Sequence, residues 1–84
     1  MFYVYTLYSK SFNKFYIGFT DDLKQRMNDH QSGKVHTTYR MKDWKLVYYE
    51  VCLSKKDATA REKQLKTGFG RGYFRRRLKN YLGA

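Results

Sequence analysis

The chain has 84 residues, a length that predicts a single domain over residues 1–84. The chain has 18 Lys and Arg against 7 Asp and Glu, and its formal net charge of +11 exceeds what solubility needs. A polyanionic partner is therefore expected. Nucleic acid ranks first, and an anionic membrane and the ribosome rank below it. The single cysteine excludes an internal disulfide and a multi-cysteine zinc site, and without a leader or an apolar run of about 18 residues the chain is expected to be soluble and cytoplasmic.

Two aromatic segments near the N-terminus predict a β-hairpin. Residues 2–8 and 15–20 are rich in Phe, Tyr, Val and Thr, as strands are, and the polar residues between them suit a loop. Side chains alternate along a strand, and opposed residues of an antiparallel pair point to the same side of the sheet. The positions of the tyrosines therefore depend on the register of this hairpin.

A loop over residues 9–12 places Tyr5 opposite Tyr16 and Tyr3 opposite Gly18. Two phenols then lie side by side, and the missing side chain at Gly18 leaves room for a substrate or a backbone to approach. The alternative is a packed aromatic pair that only stabilises the hairpin.

A helix is predicted over residues 22–31, with Thr20 or Asp21 as its N-cap and acidic residues in its first turn. Arg26 and His30 are four residues apart and therefore share a face of this helix. The planar guanidinium of Arg suits bidentate hydrogen bonding to phosphate, and His transfers protons near neutral pH. A solvated helix face that carries an Arg and a His by chance is the alternative.

The middle of the chain predicts an irregular segment and then the third strand. Residues 34–43 are polar, and His36 within them is interpreted as a surface residue. Residues 44–53 are rich in Leu, Val and Tyr, which predicts a strand.

Two helices complete the expected order. Ser54 is the predicted N-cap of the first, in a capping box with Asp57, and Gly68 ends that helix after about Lys66. Two further glycines bracket a turn, and residues 73–82 form the last helix. The order β-β-α-β-α-α predicts the α+β class, with a small three-stranded antiparallel sheet flanked by helices.

Glu62 is a lone acid in a basic stretch, between Arg61 and Lys63. Cationic neighbours favour its ionised form, and Mg²⁺ often uses one or two protein carboxylates together with water and phosphate oxygens. The alternative is an ordinary helical ion pair with Lys66, four residues further along the chain.

A run of cations surrounds this acid and continues to the last helix. Phosphate contacts from such side chains give affinity without sequence preference. The cations are Arg61, Lys63, Lys66, Arg71, Arg75, Arg76, Arg77 and Lys79.

Taken in order, several segments resemble the GIY-YIG nuclease superfamily, most closely its small single-domain bacterial branch. Any one segment is weakly specific, whereas the ordered set is specific and spans nearly the whole chain. The first motif departs from the pattern by beginning with Tyr3 rather than glycine. The segments are Tyr3-Val4-Tyr5, Phe15-Tyr16-Ile17-Gly18-Phe19-Thr20, Asp22-Leu23-Lys24-Gln25-Arg26 with His30, Leu46-Val47-Tyr48-Tyr49-Glu50, and Arg61-Glu62-Lys63-Gln64-Leu65-Lys66.

The resemblance implies a nuclease fold used in excision-repair, homing, restriction and junction-resolving enzymes, with one Mg²⁺ or Mn²⁺ ion as cofactor. It implies that Tyr5 and Tyr16 are the motif tyrosines, that Arg26 stabilises phosphate, that His30 assists proton transfer and that Glu62 binds the metal. Contacts to nucleic acid are expected at Gly18, Lys63, Lys66, Arg71, Arg75, Arg76, Arg77, Lys79 and Asn80.

We therefore predict a metal-dependent endonuclease that hydrolyses phosphodiester bonds in DNA, with a role in DNA repair and no membrane partner. Tyr5 is favoured over Tyr16 as general base, provided that Arg26 and the metal lower its pKa from about 10. The main alternative is a basic nucleic-acid-binding module with the nuclease fold and little catalysis, and a structural or ribosome-associated role ranks third. The chain has no room for a separate DNA-binding domain, so a protein partner that supplies substrate specificity is also expected.

Overall fold

Residues 1–35 and 42–83 are described by the computed structural model of the protein. His36, interpreted above as a surface residue, lies outside them. The predicted order β-β-α-β-α-α and the α+β class are confirmed, with one added turn of helix at the end. The elements are β1 (Phe2–Ser9), β2 (Lys14–Thr20), α1 (Leu23–Gln31), β3 (Lys45–Cys52), α2 (Lys55–Leu65), α3 (Gly68–Arg77) and α4 (Lys79–Leu82). No helix in these two ranges is long and apolar enough to cross a membrane.

The β1–β2 hairpin is antiparallel, as predicted, but in a different register. Tyr5 lies opposite Gly18 and Tyr16 lies opposite Leu7, so the expected pairing of Tyr5 with Tyr16 is wrong by two residues. Asn13 adopts a left-handed φ of 53°, which Asn tolerates better than most residues, and the loop therefore closes one residue later than expected. A shift of two residues keeps every side chain on its expected face, so both tyrosines still point to the same side of the sheet.

A buried serine ties the end of β1 to the start of β3. Ser9 is fully buried and donates a 2.6 Å hydrogen bond to the carboxylate of Asp43, which also accepts a 2.8 Å bond from the backbone N–H of Ser11. These bonds lower the pKa of Asp43 to about 2, and the bond from Ser9 is the largest cause. They hold Ser9 in the strand rather than in the loop, which is a second reason for the observed register.

The central strand of the sheet is β1. The strand order is β2-β1-β3 and both pairings are antiparallel, so β2 and β3 are edge strands. A bulge between Thr6 and Leu7 shifts the register of β1 against β3. The third strand is one residue shorter at each end than the predicted range 44–53.

Helix α1 begins later than expected. Its N-cap is Asp22, whose carboxylate accepts a 3.0 Å hydrogen bond from the backbone N–H of Gln25. The expected cap at Thr20 or Asp21 is wrong because the Thr20 hydroxyl instead accepts a 3.1 Å bond from the Asp22 N–H and forms a short turn ahead of the helix. The first turn consequently holds no acid.

Helix α2 starts after Ser54, as predicted, but the proposed capping box is wrong because the Ser54 side chain makes no capping hydrogen bond. The glycine-rich segment that follows is helix rather than turn. Thr67 caps α3, and its hydroxyl accepts a 3.3 Å bond from the backbone N–H of Phe69. A Cβ at Gly70 would collide with the backbone carbonyl of Leu65, so this glycine lets α3 approach α2 closely. The predicted start of the last helix at residue 73 is therefore five residues too late.

The two faces of the sheet are covered differently. On one face, Val4 and Ile17 pack with Ala58 of α2 and Phe74 of α3 in an apolar cluster. We call this the apolar face. The opposite face carries Tyr5 and lies under α1, whose side chains reach the Tyr5 hydroxyl; we call it the α1 face.

Candidate active site

A three-residue hydrogen-bond network lies on the α1 face. The Nε–H of Arg26 donates to the Tyr5 hydroxyl oxygen at 3.0 Å, and the same oxygen lies 2.8 Å from Nε2 of His30. In the neutral tautomer that leaves Nε2 of His30 unprotonated, Tyr5 accepts from Arg26 and donates its phenolic proton to His30. We therefore assign a chain of donors that runs from Arg26 through Tyr5 to Nε2 of a neutral His30.

Local sequence explains why these groups meet. Arg26 and His30 are one turn apart on α1, as their spacing predicts, and Tyr5 projects from the central strand beneath them. Gly18 faces Tyr5 on β2, where a Cβ would collide with the end of the Tyr5 ring. The space at Gly18 is filled by this phenol and Gly18 is buried, which does not fit its expected contact with nucleic acid.

Three aromatic rings surround the His30 imidazole. The rings of Tyr5, Tyr16 and Trp44 meet it edge to face, with centroids 5.6, 5.3 and 5.7 Å away. His30 is only 2% exposed as a result. The sequence interpretation did not assign Trp44 to the site; the available signal was a lone tryptophan at the start of the predicted third strand.

Burial controls the titration of this network. It raises the pKa of Tyr5 to about 12, although the hydrogen bond from Arg26 acts in the opposite direction. Burial, followed by the positive charge of Arg26, lowers the pKa of His30 to about 4. Both side chains are therefore neutral at pH 7. The expectation that Arg26 would lower the pKa of Tyr5 holds in direction but is outweighed by burial.

The two motif tyrosines differ in exposure. Tyr5 is 0% exposed, whereas Tyr16 is half-buried and lines a surface depression at the edge of β2. Tyr16 is also close enough to Arg26 and Tyr5 to raise the pKa values of both. Tyr16 is thus the part of the α1 face through which the network meets solvent.

Arg26 differs from an ordinary structural arginine in its partner. Its hydrogen bond goes to a neutral phenol, and it forms no ion pair within residues 1–35 and 42–83. The Tyr5 bond is the main reason that its pKa is raised. An arginine with a neutral partner keeps its charge available for an anion such as phosphate.

The fifth proposed site residue, Glu62, does not lie on the α1 face. Glu62 lies on α2, the helix that covers the apolar face, and its carboxylate forms a 3.0 Å ion pair with Lys66. Lys66 in turn lines the β2-edge depression together with Tyr16. The structure gathers Tyr5, Tyr16, Arg26 and His30 on the α1 face, and it places Glu62 one helical turn from the depression that Tyr16 borders.

A metal could be held here by a single protein carboxylate. Within the described ranges no three side chains of His, Cys, Asp or Glu are grouped to hold a metal ion. One carboxylate suits Mg²⁺, which usually keeps several waters and binds substrate phosphate oxygens as well. Glu62 is 21% exposed and is neutralised by Lys66, so a cation could take the place of that lysine.

The Glu50 carboxylate is bonded to other residues of the fold rather than to the site residues. Its carboxylate accepts hydrogen bonds of 2.9 to 3.2 Å from Arg61 and one of 2.9 Å from the Tyr48 hydroxyl. These bonds lower its pKa even though burial acts in the opposite direction. Arg61 also lies over the Tyr73 ring, 5.0 Å from the centroid. Arg61, the first cation of the run described above, is therefore neutralised within the fold by Glu50.

The remaining cations are distributed over the helical side of the domain. Arg75 lies over the ring of Phe15 at 5.4 Å and donates a 2.6 Å bond to Asn13, which fixes it at the hairpin. Lys66 and Arg71 lie at the β2 edge. A separate depression of about 360 Å³ is lined by Tyr73, Arg76, Arg77, Lys79 and Asn80. Lys63 is exposed on α2.

Comparison with known proteins identifies the family. Residues 1–77 match the GIY-YIG catalytic domain. A UPF0213 protein of Limosilactobacillus reuteri (strain DSM 20016) is 38% identical over 68 residues, which cover 77% of this chain and 70% of the relative. No solved structure gives a significant match. Because the family match extends from β1 to the end of α3, and so includes the α1-face network and Glu62, the chain belongs to the GIY-YIG family of nucleases.

Proposed function

We propose that the protein is a metal-dependent endonuclease that hydrolyses phosphodiester bonds in DNA. The observation that carries this proposal is the Arg26–Tyr5–His30 network, in which a half-buried arginine donates to a buried phenol rather than to a carboxylate. Such a network leaves a cation and a proton acceptor side by side. Structural packing alone requires neither, because burying polar groups is unfavourable unless they are fully paired.

The proton of the attacking water has a path through the network. The exposure of Tyr16 supports a role in which its hydroxyl orients this water. Tyr5 and His30 act as the acceptor: a proton that reaches the Tyr5 oxygen releases the phenolic proton to Nε2 of His30, which is 2.8 Å away and neutral at pH 7. Arg26 stabilises the negative charge that develops on the phosphate in the transition state.

Glu62 would hold Mg²⁺ or Mn²⁺. Such an ion, when bound, neutralises charge on the phosphate and polarises the bond that breaks. The contribution of the chain is a carboxylate within one helical turn of the β2 edge, whose counter-charge, Lys66, is itself suited to phosphate. The proposed role in DNA repair depends on which DNA structure the protein cuts.

A second function is favoured by one specific observation. Tyr5 is fully buried and its pKa is raised to about 12, which makes it a poor base at neutral pH. A basic nucleic-acid-binding module that keeps the nuclease fold would tolerate this. The two functions differ in whether the chain cuts DNA at all.

Incubation with labelled single-stranded, duplex, flapped and branched DNA in Mg²⁺ or Mn²⁺ tests the proposal. We expect Glu62→Ala and Arg26→Ala each to reduce cleavage by about 100-fold or more, since each removes a group that stabilises charge in the transition state. DNA affinity should hardly change, because Arg26 is one of 18 cations and Glu62 is an anion. Asp57→Ala on the same helix as Glu62, and Lys24→Ala on the same helix as Arg26, are matched controls that should retain activity.

Tight binding without cleavage on every substrate would favour the binding module. Cleavage by Glu62→Ala at the rate of the wild type would show that the metal is held elsewhere.

A further inference from the structure

A depression with a cationic rim lies at the outer edge of β2, the edge that faces away from β1. No strand of residues 1–35 and 42–83 pairs with this edge, and the depression, of about 420 Å³, opens along it. Its floor is apolar, built from β2, the end of α2 and α3. Its rim carries Tyr16 and three cations, Lys14, Lys66 and Arg71. We call this depression the β2-edge groove.

The three cations come from three different elements. Lys14 begins β2, Lys66 follows α2 and Arg71 lies in the first half of α3, and all three are exposed. Only Lys66 has an ion-pair partner within residues 1–35 and 42–83, and that partner is Glu62. Like charges gathered around one groove repel each other, so the arrangement destabilises the free protein unless an anion binds there.

The groove also lies between the two parts of the proposed site. Tyr16 belongs to the α1 face, whereas Glu62 lies on the helix that covers the apolar face. A ligand confined to either face would reach only one of them. A ligand that follows the β2 edge passes both, because Tyr16 and Lys66, the partner of Glu62, line the same groove.

We propose that the β2-edge groove seats the sugar-phosphate backbone of DNA, so that the strand to be cut passes between Tyr16 and Glu62. Lys14 and Arg71 bind phosphates next to the one that reacts. This inference rests on the proposed function and adds the path of the substrate, together with a binding residue, Lys14, that the sequence interpretation did not include.

Binding of a fluorescently labelled oligonucleotide in EDTA tests the groove without any cleavage. We expect the double variant Lys14→Ala and Arg71→Ala to bind about tenfold or more weakly at 150 mM salt, and to lower the slope of log affinity against log salt by roughly 1.4 for single strands, since two phosphate contacts are lost. The matched control, Lys55→Ala and Lys56→Ala at the start of α2, removes the same charge and should lower affinity by less than about threefold.

Equal losses in the two double variants would overturn the groove, because the effect would then come from net charge. If the first double variant fails to fold, Lys14→Glu alone is the test, and it should weaken binding more than Lys55→Glu. A wild type that binds through the groove but never cuts would overturn the proposed nuclease and retain the groove as a binding surface. Cleavage and affinity unchanged by loss of Lys14 and Arg71 would overturn the groove and retain the nuclease.

Discussion

Both faces of the sheet bury aromatic rings, but the rings are packed in an apolar core on one face and hydrogen-bonded on the other. The apolar face joins Val4, Ile17 and Phe74 in a core whose members have no polar group to satisfy. The α1 face buries Tyr5 and His30 in a hydrogen-bonded network under a short helix. Apolar burial stabilises the fold directly, while a buried polar network contributes little even when fully paired. Most of the apolar stabilisation therefore lies on one side of β1, and the buried polar network lies on the other.

The arginines of the two faces make the same contrast. Arg61 on the apolar side is neutralised by the Glu50 carboxylate, with distances of 2.9 to 3.2 Å, and anchors α2 to β3. Arg26 on the α1 face contacts the neutral phenol of Tyr5. The charge of Arg61 is neutralised within the fold, whereas Arg26 forms no ion pair within residues 1–35 and 42–83.

The largest expected effect is on the apolar face. Phe74 is fully buried, so Phe74→Ala should lower the free energy of unfolding by about 3–5 kcal/mol, measured by urea denaturation. Phe69 lies on the same helix but is 46% exposed, and Phe69→Ala should lower it by less than about 1 kcal/mol. If the first variant does not fold, Phe74→Leu should still be less stable than Phe69→Leu. Equal effects of the paired variants would contradict the division between the faces.

A methyl group at Gly18 should disturb the α1 face. The new Cβ would collide with the end of the Tyr5 ring, which is held by Arg26 and His30 and cannot swing away freely. We expect Gly18→Ala to lower the free energy of unfolding by about 1–3 kcal/mol and to reduce cleavage. Gly68→Ala is the control, since nothing lies within 4 Å of a Cβ at this helical position, and it should be neutral or slightly stabilising. A neutral Gly18→Ala would mean that the network is loosely packed.

Much of this arrangement could be predicted from the sequence. The strand patterns gave the order of elements, and the spacing of Arg26 and His30 correctly placed both on one face of α1. The hairpin register could not be predicted, because it depends on a left-handed Asn13 and on the bond from buried Ser9 to Asp43, which is 34 residues away in sequence. Long-range hydrogen bonds of this kind leave no local pattern.

The glycines show a second limit. The segment between Gly70 and Gly72 was interpreted as a turn, the usual meaning of clustered glycines. Here Gly70 is needed because α3 packs directly on the backbone of Leu65. The exposure of the two motif tyrosines could not be predicted from the sequence either. Both point to the α1 face, but only the structure shows that Tyr5 is fully buried and Tyr16 is not.

Acid should weaken the α1 face before it affects the apolar core. The pKa of His30 is lowered from 6.5 to about 4 in the fold, so below pH 6.5 the unfolded chain takes up a proton that the folded chain does not. Stability is then lost progressively as the pH falls from 6.5 towards 4. We expect a loss of about 2 kcal/mol between pH 7.5 and pH 5, measured by urea denaturation at each pH.

His30→Gln separates this effect from that of the other groups. Glutamine has no proton to gain in this range, so most of the pH dependence should disappear, while every other titratable group is the same in the two proteins. Titration of the His30 ring protons by NMR provides a direct check. A midpoint near 6.5 in the folded wild type would refute the role of burial.

The smallest effect on the fold is expected from the basic surface beyond both faces. Arg76 and Arg77 are exposed, whereas Arg75 is held by Asn13 and the ring of Phe15. Changing all three arginines to Ala should lower the unfolding free energy by at most about 1 kcal/mol, nearly all of it from the lost contacts of Arg75 with Asn13 and Phe15. DNA binding should become less dependent on salt, since each phosphate contact adds roughly 0.9 to the slope on duplex DNA. The expected decrease is about 1.8 if only Arg76 and Arg77 reach phosphates, and about 2.7 if DNA also displaces Asn13 from Arg75. Binding measured from 50 to 300 mM salt distinguishes these values.

The control changes Lys34, Lys55 and Lys56 to Ala, which removes the same charge and should alter the slope by less than about 1. A slope that responds equally to both triple variants would assign the salt dependence to net charge, and the contrast between a localised binding surface and the rest of the domain would fail.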